Sequence, residues 1–181
     1  MPARLKLAAQ AVAVAGVGLL LTLLVWDLTH QTPLPKVGAA APAFSLSQLD
    51  GRGDLTLASL RGKVVVLNFW ASWCGPCKRE APALQKVWQQ YRGKGVVVLG
   101  VDTGDAKGDA RRFLSAHGIT YPVVLDPNRT LALGSYGVPV LPTTFVLTRA
   151  GRLVGSPVIG PISDKGYSDE FHRDFEEALK S

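Results

Sequence analysis

Cys74 and Cys77 are the only two cysteines in the chain, and in the stretch NFWASWCGPCKREAP just Gly75 and Pro76 separate them. Three kinds of chemistry could use such a pair. As a structural staple it closes about four residues, which in the chain-entropy model stabilises a fold by about 2 kcal/mol, less than a longer loop would. As part of a metal site it needs further ligands, about four in all for a closed structural centre and three for a catalytic one. His30, His117 and His172 are the histidines available, and none sits at ligand spacing from another or from the cysteines. As a redox pair it needs only two sulfurs close together, one to react and one to resolve, and the spacing supplies that. Redox chemistry is the reading the spacing favours.

The residues after the pair say how it is held. Cys77, Ala81, Leu84 and Trp88 recur at helical spacing, with Val87 and Tyr91 widening the stripe, so a helix is predicted to begin at the cysteines. Pro76 suits the first helical position, and Pro82 inside the pattern predicts a kink. A sulfur at that helix start faces unpaired N–H groups and the positive end of the helix dipole. An interaction of up to about 2 kcal/mol there lowers the Cys74 thiol pKa by roughly 1.5, from about 8.5 to about 7, which makes about half of it thiolate at neutral pH. Cys74 is therefore the expected nucleophile. Cys77, one turn deeper, is the expected resolving thiol for the mixed disulfide that Cys74 forms. Gly75 keeps the mouth of the site narrow and open, Trp70 reads as core, and Trp73 is expected to border the reactive sulfur.

The elements that position this segment read as alternating strand and helix. FSLSQLDGRGDLTLASL forms two short strands about the Gly51 to Gly53 turn, with Phe44, Leu46, Leu55 and Leu57 alternating. KVVVLNFWA is a nearly continuous apolar run, the pattern of a central strand covered on both faces. Then come GVVVLGVD as a strand, DARRFLSAHG as a helix, TYPVVLD as a strand and NRTLALGSYG as a short helix. TTFVLT and RLVGSPV flank the Ala150, Gly151 turn as a hairpin, and SDEFHRDFEEALK closes as a helix capped by Ser168 or Asp169. The order predicts an α/β fold, a mixed central sheet flanked by helices.

At 181 residues and 47% hydrophobic, the chain holds one domain of this kind and an N-terminal extra. From Leu7 to Trp26 about 20 residues pass without a charge, the length of a transmembrane helix. Arg4 and Lys6 precede the run and Asp27 follows it, so the positive-inside bias leaves residues 1–6 cytoplasmic and the rest extracytoplasmic. A cleaved signal peptide is the rival, but its apolar region is usually about 7 to 15 residues and ends near a small-x-small site. DLTHQTPLPK follows here instead. The expected organisation is an anchor at 7–26, a linker at 27–38 and a domain at 39–181. The net charge of +6 includes no basic stripe, which argues against a nucleic-acid partner.

NFWASWCGPCKREAP resembles the active-site segment of the thioredoxin superfamily, and YGVPVLPTTFVLTRAGRLV resembles its cis-proline loop and following hairpin. With the anchor, the APAFSL opening, LRGKVVVLNFWASWC, the helix and strand between Asp105 and Asp126, and LPTTF, the chain is similar to the membrane-anchored TlpA, ResA and DsbE/CcmG-like branch. The resemblance implies a thioredoxin fold with an N-terminal β-hairpin and a helix-strand insertion. It also implies a cis Leu141–Pro142 peptide packed opposite Cys74. Substrate would meet Trp73, Gly75, Pro76, Leu141 and Pro142. Thioredoxins carry a buried aspartate where this chain has Asn68; the resemblance offers Glu80, three residues after Cys77, as the replacement proton carrier.

The implied activity is an extracytoplasmic thiol-disulfide oxidoreductase with no cofactor beyond its redox-active disulfide. It would reduce exported proteins such as apocytochromes c or copper-site proteins, and a membrane thiol-electron transporter would re-reduce it on the periplasmic side. Two rivals differ in class. One is a Cu(I)-handling module, since two thiolates suit that ion. The other is a peroxiredoxin-like peroxidase, although such proteins place a threonine where this chain has Ala71.

Overall fold

The computed structural model describes residues 3–29 and 32–181; His30 lies outside them. The chain divides into two compact units between Thr32 and Pro33. The first contains helix α1 (Ala3–Thr29), 27 residues long and thus about 40 Å. Val12, Val14, Val17, Leu19 to Leu21 and Leu23 to Trp26 are all exposed on it. Among the described residues no helix is long and apolar enough to cross a membrane. The expected crossing thus rests on the sequence and not on the described helix.

The second unit is built on a five-stranded sheet. Its centre is β3 (Val64–Trp70), buried at every position. β4 (Val96–Thr103) and β5 (Val123–Asp126) continue it in parallel on one side. β6 (Thr143–Leu147) and β7 (Leu153–Ile159) are antiparallel on the other, giving the order β5-β4-β3-β6-β7. The sheet is mixed because tight turns suffice for the hairpin, whereas the parallel strands need helical crossovers. A separate hairpin, β1 (Ser45–Ser47) with β2 (Asp54–Thr56), precedes the sheet. Leu57, expected in its second strand, starts a one-turn 3₁₀ helix to Leu60, capped by the Thr56 hydroxyl.

Strand alternation divides β3 between two cores. Val64, Val66 and Trp70 join Ala81 and Leu84 of α2 (Gly75–Tyr91), Phe113 of α3 (Lys107–Ala116), and Phe171 and Phe175 of α5 (Lys165–Leu179). Val65, Leu67 and Phe69 join Leu57, Leu60, Phe145, Tyr136 and Leu131 of α4 (Thr130–Gly134). Asn68 therefore falls on the α2 side, buried in an apolar face. Beside it in β4 is Gly100, where a Cβ would lie 2.8 Å from the Trp70 indole nitrogen. The missing side chain is what lets Trp70 stack on Phe113, with centroids 4.4 Å apart.

Boundaries differ from expectation in three places. α5 starts at Lys165, after Asp164 and ahead of both expected caps, with no side-chain cap bond. α4 is five residues and starts only at Thr130, because Arg129 ahead of it takes a left-handed conformation, φ 56°, that a helix cannot contain. The sheet's unit also takes in residues assigned to the linker, since Leu34 packs on the second core and the Gly38 N–H donates to the Leu153 carbonyl at 2.8 Å. A fragment beginning at Pro33 is accordingly expected to be folded and to unfold cooperatively. One beginning at Ala39 should melt several degrees lower, which thermal denaturation of the two fragments checks.

Candidate active site

The loop from Ala71 to Cys74 carries the chain from the end of β3 into α2. It is tied at two points: the Cys74 N–H donates to the Ala71 carbonyl at 3.1 Å, and the Ser72 N–H donates to the Asp105 carboxylate at 2.5 Å. Cys74 is the N-cap of α2, with φ −76° and ψ 107°, and its sulfur accepts the Cys77 N–H at 3.2 Å. The sulfur thus meets one of the helix's four unpaired donors, as a capping oxygen would. Pro76 is the second helical residue rather than the first, still within the turn where a missing N–H costs nothing. The helix continues through Pro82 to Tyr91.

Cys74 and Cys77 are joined as a disulfide. Cys77 is 2% exposed and Cys74 only 5%, so the open nucleophile expected at the helix end is instead nearly covered in the oxidised pair. The exposed member of the segment is Trp73, at 58%.

Glu80 lies one turn along α2 from Cys77, on the face that also buries Ala81 and Leu84, and is 1% exposed. It is no surface residue. Asn68 Nδ2 donates to its Oε1 at 2.8 Å, and the Ile162 N–H donates to its Oε2 at 3.1 Å. Burial pushes the carboxyl up to about 7; the bonds from Asn68 and Ile162 pull the other way, and Asp164 adds a smaller push upward. Asn68 also donates to Thr144 Oγ1 at 3.0 Å, which joins α2, β3 and β6 through one amide. Neither Thr144 nor Ile162 was singled out in the sequence. A threonine in a strand and a backbone N–H in a turn carry no mark of the carboxylate they serve.

The Leu141–Pro142 peptide is cis, immediately before β6. Pro142 is buried and its carbonyl accepts the Gly160 N–H at 3.0 Å, while Leu141 is half-buried. Leu141 joins Trp73, Thr103, Arg129, Leu133 and Val140 in lining an open groove of about 250 Å³. This brings two of the expected substrate contacts, Trp73 and Leu141, to one surface. Gly75, two residues after Trp73, has nothing within 4 Å of where a Cβ would stand.

A second buried carboxyl went unnoticed in the sequence. Asp102, paired with Trp70 across β3 and β4, is buried, and neither of its oxygens has a hydrogen-bond partner by distance and angle. Its pKa is pushed up to about 8, by burial first and then by the Asp105 carboxylate, with Asp109 and Asp126 adding to the repulsion. Asp105 is the residue that holds Ser72. Among the described residues no three His, Cys, Asp or Glu come together as metal ligands.

Residues 37–156 match the AhpC/TSA family. The thiol-disulfide oxidoreductase ResA of Geobacillus thermodenitrificans is 42% identical over 117 residues, 65% of this chain and 66% of that one. ResA of Bacillus subtilis is 38% identical over 117 residues, 65% of this chain and 64% of that one. These alignments span about two thirds of each relative's length. ResA of Halalkalibacterium halodurans is 31% identical over 147 residues, 81% and 79% of the two chains. Among solved structures, a thiol:disulfide interchange protein of the thioredoxin family from Chlorobium tepidum superposes with a TM-score of 0.66 at 30% identity, covering 80% of this chain and 99% of that one. A secreted thiol-disulfide isomerase from Corynebacterium glutamicum gives 0.68 at 25%, covering 83% and 99%.

The raised Asp102 pKa has a thermodynamic consequence. Between the ordinary carboxylate range and about pH 8 the folded state holds a proton that the unfolded state has lost, so this group's contribution to stability falls as pH rises through that window. Asp102→Asn removes the titration. The difference in Tm between variant and parent should therefore grow in the variant's favour from pH 4 to pH 8, measured by thermal melts at each pH; a constant difference would mean that Asp102 is ionised in the fold.

Proposed function

The chain belongs to the AhpC/TSA family, and we propose that it serves there as a thiol-disulfide oxidoreductase that reduces disulfides of exported proteins with the Cys74–Cys77 dithiol. The observation that carries this reading is the environment of Glu80: a carboxyl one helical turn from Cys77, enclosed with Asn68 and the Ile162 N–H, and titrating at about 7.

The exchange runs in two displacements. The Cys74 thiolate attacks one sulfur of the substrate disulfide; a Cys74–substrate disulfide forms and the other substrate sulfur leaves as a thiolate, which takes a proton. Glu80 as carboxylate then accepts the Cys77 thiol proton, and the Cys77 thiolate attacks the Cys74 sulfur. The second substrate sulfur leaves, and the Cys74–Cys77 disulfide closes. The substrate gains two electrons and two protons, one from solvent to the first leaving thiolate and one that Glu80 passes from Cys77 to the second, and the pair loses two electrons. A base with a pKa near 7 is matched to this task, because at neutral pH it is often ionised yet still holds a proton firmly once it has accepted one. The cysteine N-cap supports the first step, since the N–H that meets Cys74 Sγ also favours its thiolate. The substrate strand would lie along Trp73, Gly75, Pro76, Leu141 and Pro142.

Residues 7–26 are the membrane anchor in this reading, residues 1–6 are cytoplasmic, and the domain works on the periplasmic side. The uncharged run and its flanking charges support that orientation. Apocytochrome c haem-binding cysteines, or the cysteines of copper-site proteins, are then the substrates, and a membrane thiol-electron transporter restores the dithiol in an oxidising compartment. A peroxidase reading finds a fully buried methyl group at Ala71 in place of a hydroxyl. A Cu(I)-handling reading is separated by titrating Cu(I) against the chain with and without Cys74.

Two experiments check the reading. Glu80→Gln should slow the resolving step by about 10²-fold at pH 7 and abolish its titration near pH 7, read by rapid mixing of reduced protein with a disulfide peptide across pH; identical profiles would return Glu80 to a packing role. Cys77→Ser should accumulate mixed disulfides with exported proteins in cells, and adding Cys74→Ser should remove them. The wild-type pair should be isolated as a dithiol while the membrane donor works. A pair found oxidised with a working donor, and oxidising reduced substrates in vitro, would reverse the direction of electron flow.

A further inference from the structure

Among the described residues Arg129 is the one non-glycine with a left-handed backbone. The conformation is held by its own N–H, which donates to the Asp126 carbonyl at 3.1 Å, and by its carbonyl, which accepts the Leu133 N–H at 2.9 Å. It directs the side chain back toward the active-site loop. The guanidinium carbon lies 5.8 Å from the centroid of the Trp73 ring, within the range of a cation–π contact. The guanidinium also lies against Gly104, where a Cβ would come within 2.7 Å of Nε. A bare glycine and an indole together fix where the cation stands.

Its charge is not answered inside the protein. Among the described residues Arg129 makes no ion pair and its guanidinium no hydrogen bond. Two carboxylates are engaged elsewhere: Asp126, three residues before it, accepts the N–H groups of Leu131 and Ala132 at 3.1 and 2.8 Å, and Asp105, next to Gly104, accepts that of Ser72. Apart from Thr103, whose hydroxyl donates to the Val101 carbonyl at 3.2 Å, the rest of the groove is apolar, and Trp73, Leu133 and Val140 are each more than half exposed. A single oriented cation in an apolar groove beside the reactive disulfide is complementary to a polypeptide that brings apolar side chains and one carboxylate.

Resting on the thiol-disulfide reading above, we propose that Arg129 is a specificity residue that receives an aspartate or glutamate next to the substrate cysteine. The occupant of the groove is then an extended segment of the disulfide-bearing substrate. In the exchange the substrate disulfide becomes two thiols and the Cys74–Cys77 dithiol becomes a disulfide; Arg129 takes no proton or electron and acts on how tightly the segment is held.

The test uses the full chain, reduced and held in detergent, with three disulfide-closed peptides that differ only in whether Glu, Gln or Lys adjoins one cysteine. Each rate is divided by that of dithiothreitol on the same peptide, which removes the effect of the charge on the sulfur itself. The normalised kcat/KM ratio of the Glu to the Lys peptide should be about tenfold at low salt and shrink toward unity at high salt. Arg129→Gln should bring the ratio to about one, Arg129→Lys should keep most of it, and Arg129→Glu should invert it. Because the readout is a ratio within each protein, a general loss of rate in a variant cancels. A wild-type ratio near one, or a preference that survives in Arg129→Gln, would overturn the proposal. If the wild-type chain reduces none of the three peptides, the exchange reading fails and takes this proposal with it.

Discussion

A carboxyl group buried in an apolar core must either find hydrogen-bond partners or give up its charge, and Glu80 is where this fold meets that constraint. The side chain is placed by the helix that the cysteines begin, but the partners come from elsewhere: an amide on the central strand and a backbone N–H in the turn after the last strand. Satisfying one oxygen therefore requires β3 to present Asn68 toward α2, and satisfying the other requires the chain to return past β7 before α5 starts. Two hydrogen bonds reduce the cost of burial without abolishing it, which is why the group titrates near neutrality rather than in the ordinary carboxylate range.

The same amide links this carboxyl to the strand that follows Pro142, through Thr144. The buried carboxyl and the strand after the cis-proline are thus hung from one residue of β3. On the other side, Asp105 holds the loop before Cys74, with Asp102 behind it. The C-x-x-C segment is consequently flanked by two hydrogen-bonded carboxyls, Glu80 accepting from Asn68 and Ile162 and Asp105 accepting from Ser72.

Much of this was readable from residue order. The central strand, the helix at the cysteines and the alternation that builds a mixed sheet follow from apolar periodicity, which burial dictates directly. The Cys74, Cys77 pair was readable because spacing along one helix is fixed geometry, whereas Glu80 was offered by the resemblance. Thr144 and Ile162 were not, since each acts through a neighbour far away in the chain, and Asp102 was not, since its burial depends on the strands and helices packed around it and carries no local pattern. Arg129 was hidden for a further reason: nothing in NRTLALG signals a left-handed arginine, and that conformation is also what shortened the helix after it. The exposure of Cys74 was overestimated because position at a helix end says nothing about what the rest of the fold lays over it.

Gly100 shows how far the influence of a silent position can reach. It touches no substrate and carries no functional group, yet the space above it is filled by the indole of Trp70, with Val123 and Tyr121 at the rim. A methyl group there would push the indole from Phe113, and Trp70 is the last residue of the strand from which the cysteine loop departs. In a drifting lineage such a site behaves as a filter. Substitutions at it would be lost through slow damage to loop geometry, and an invariant glycine in the middle of a strand would then report on catalysis without taking part in it.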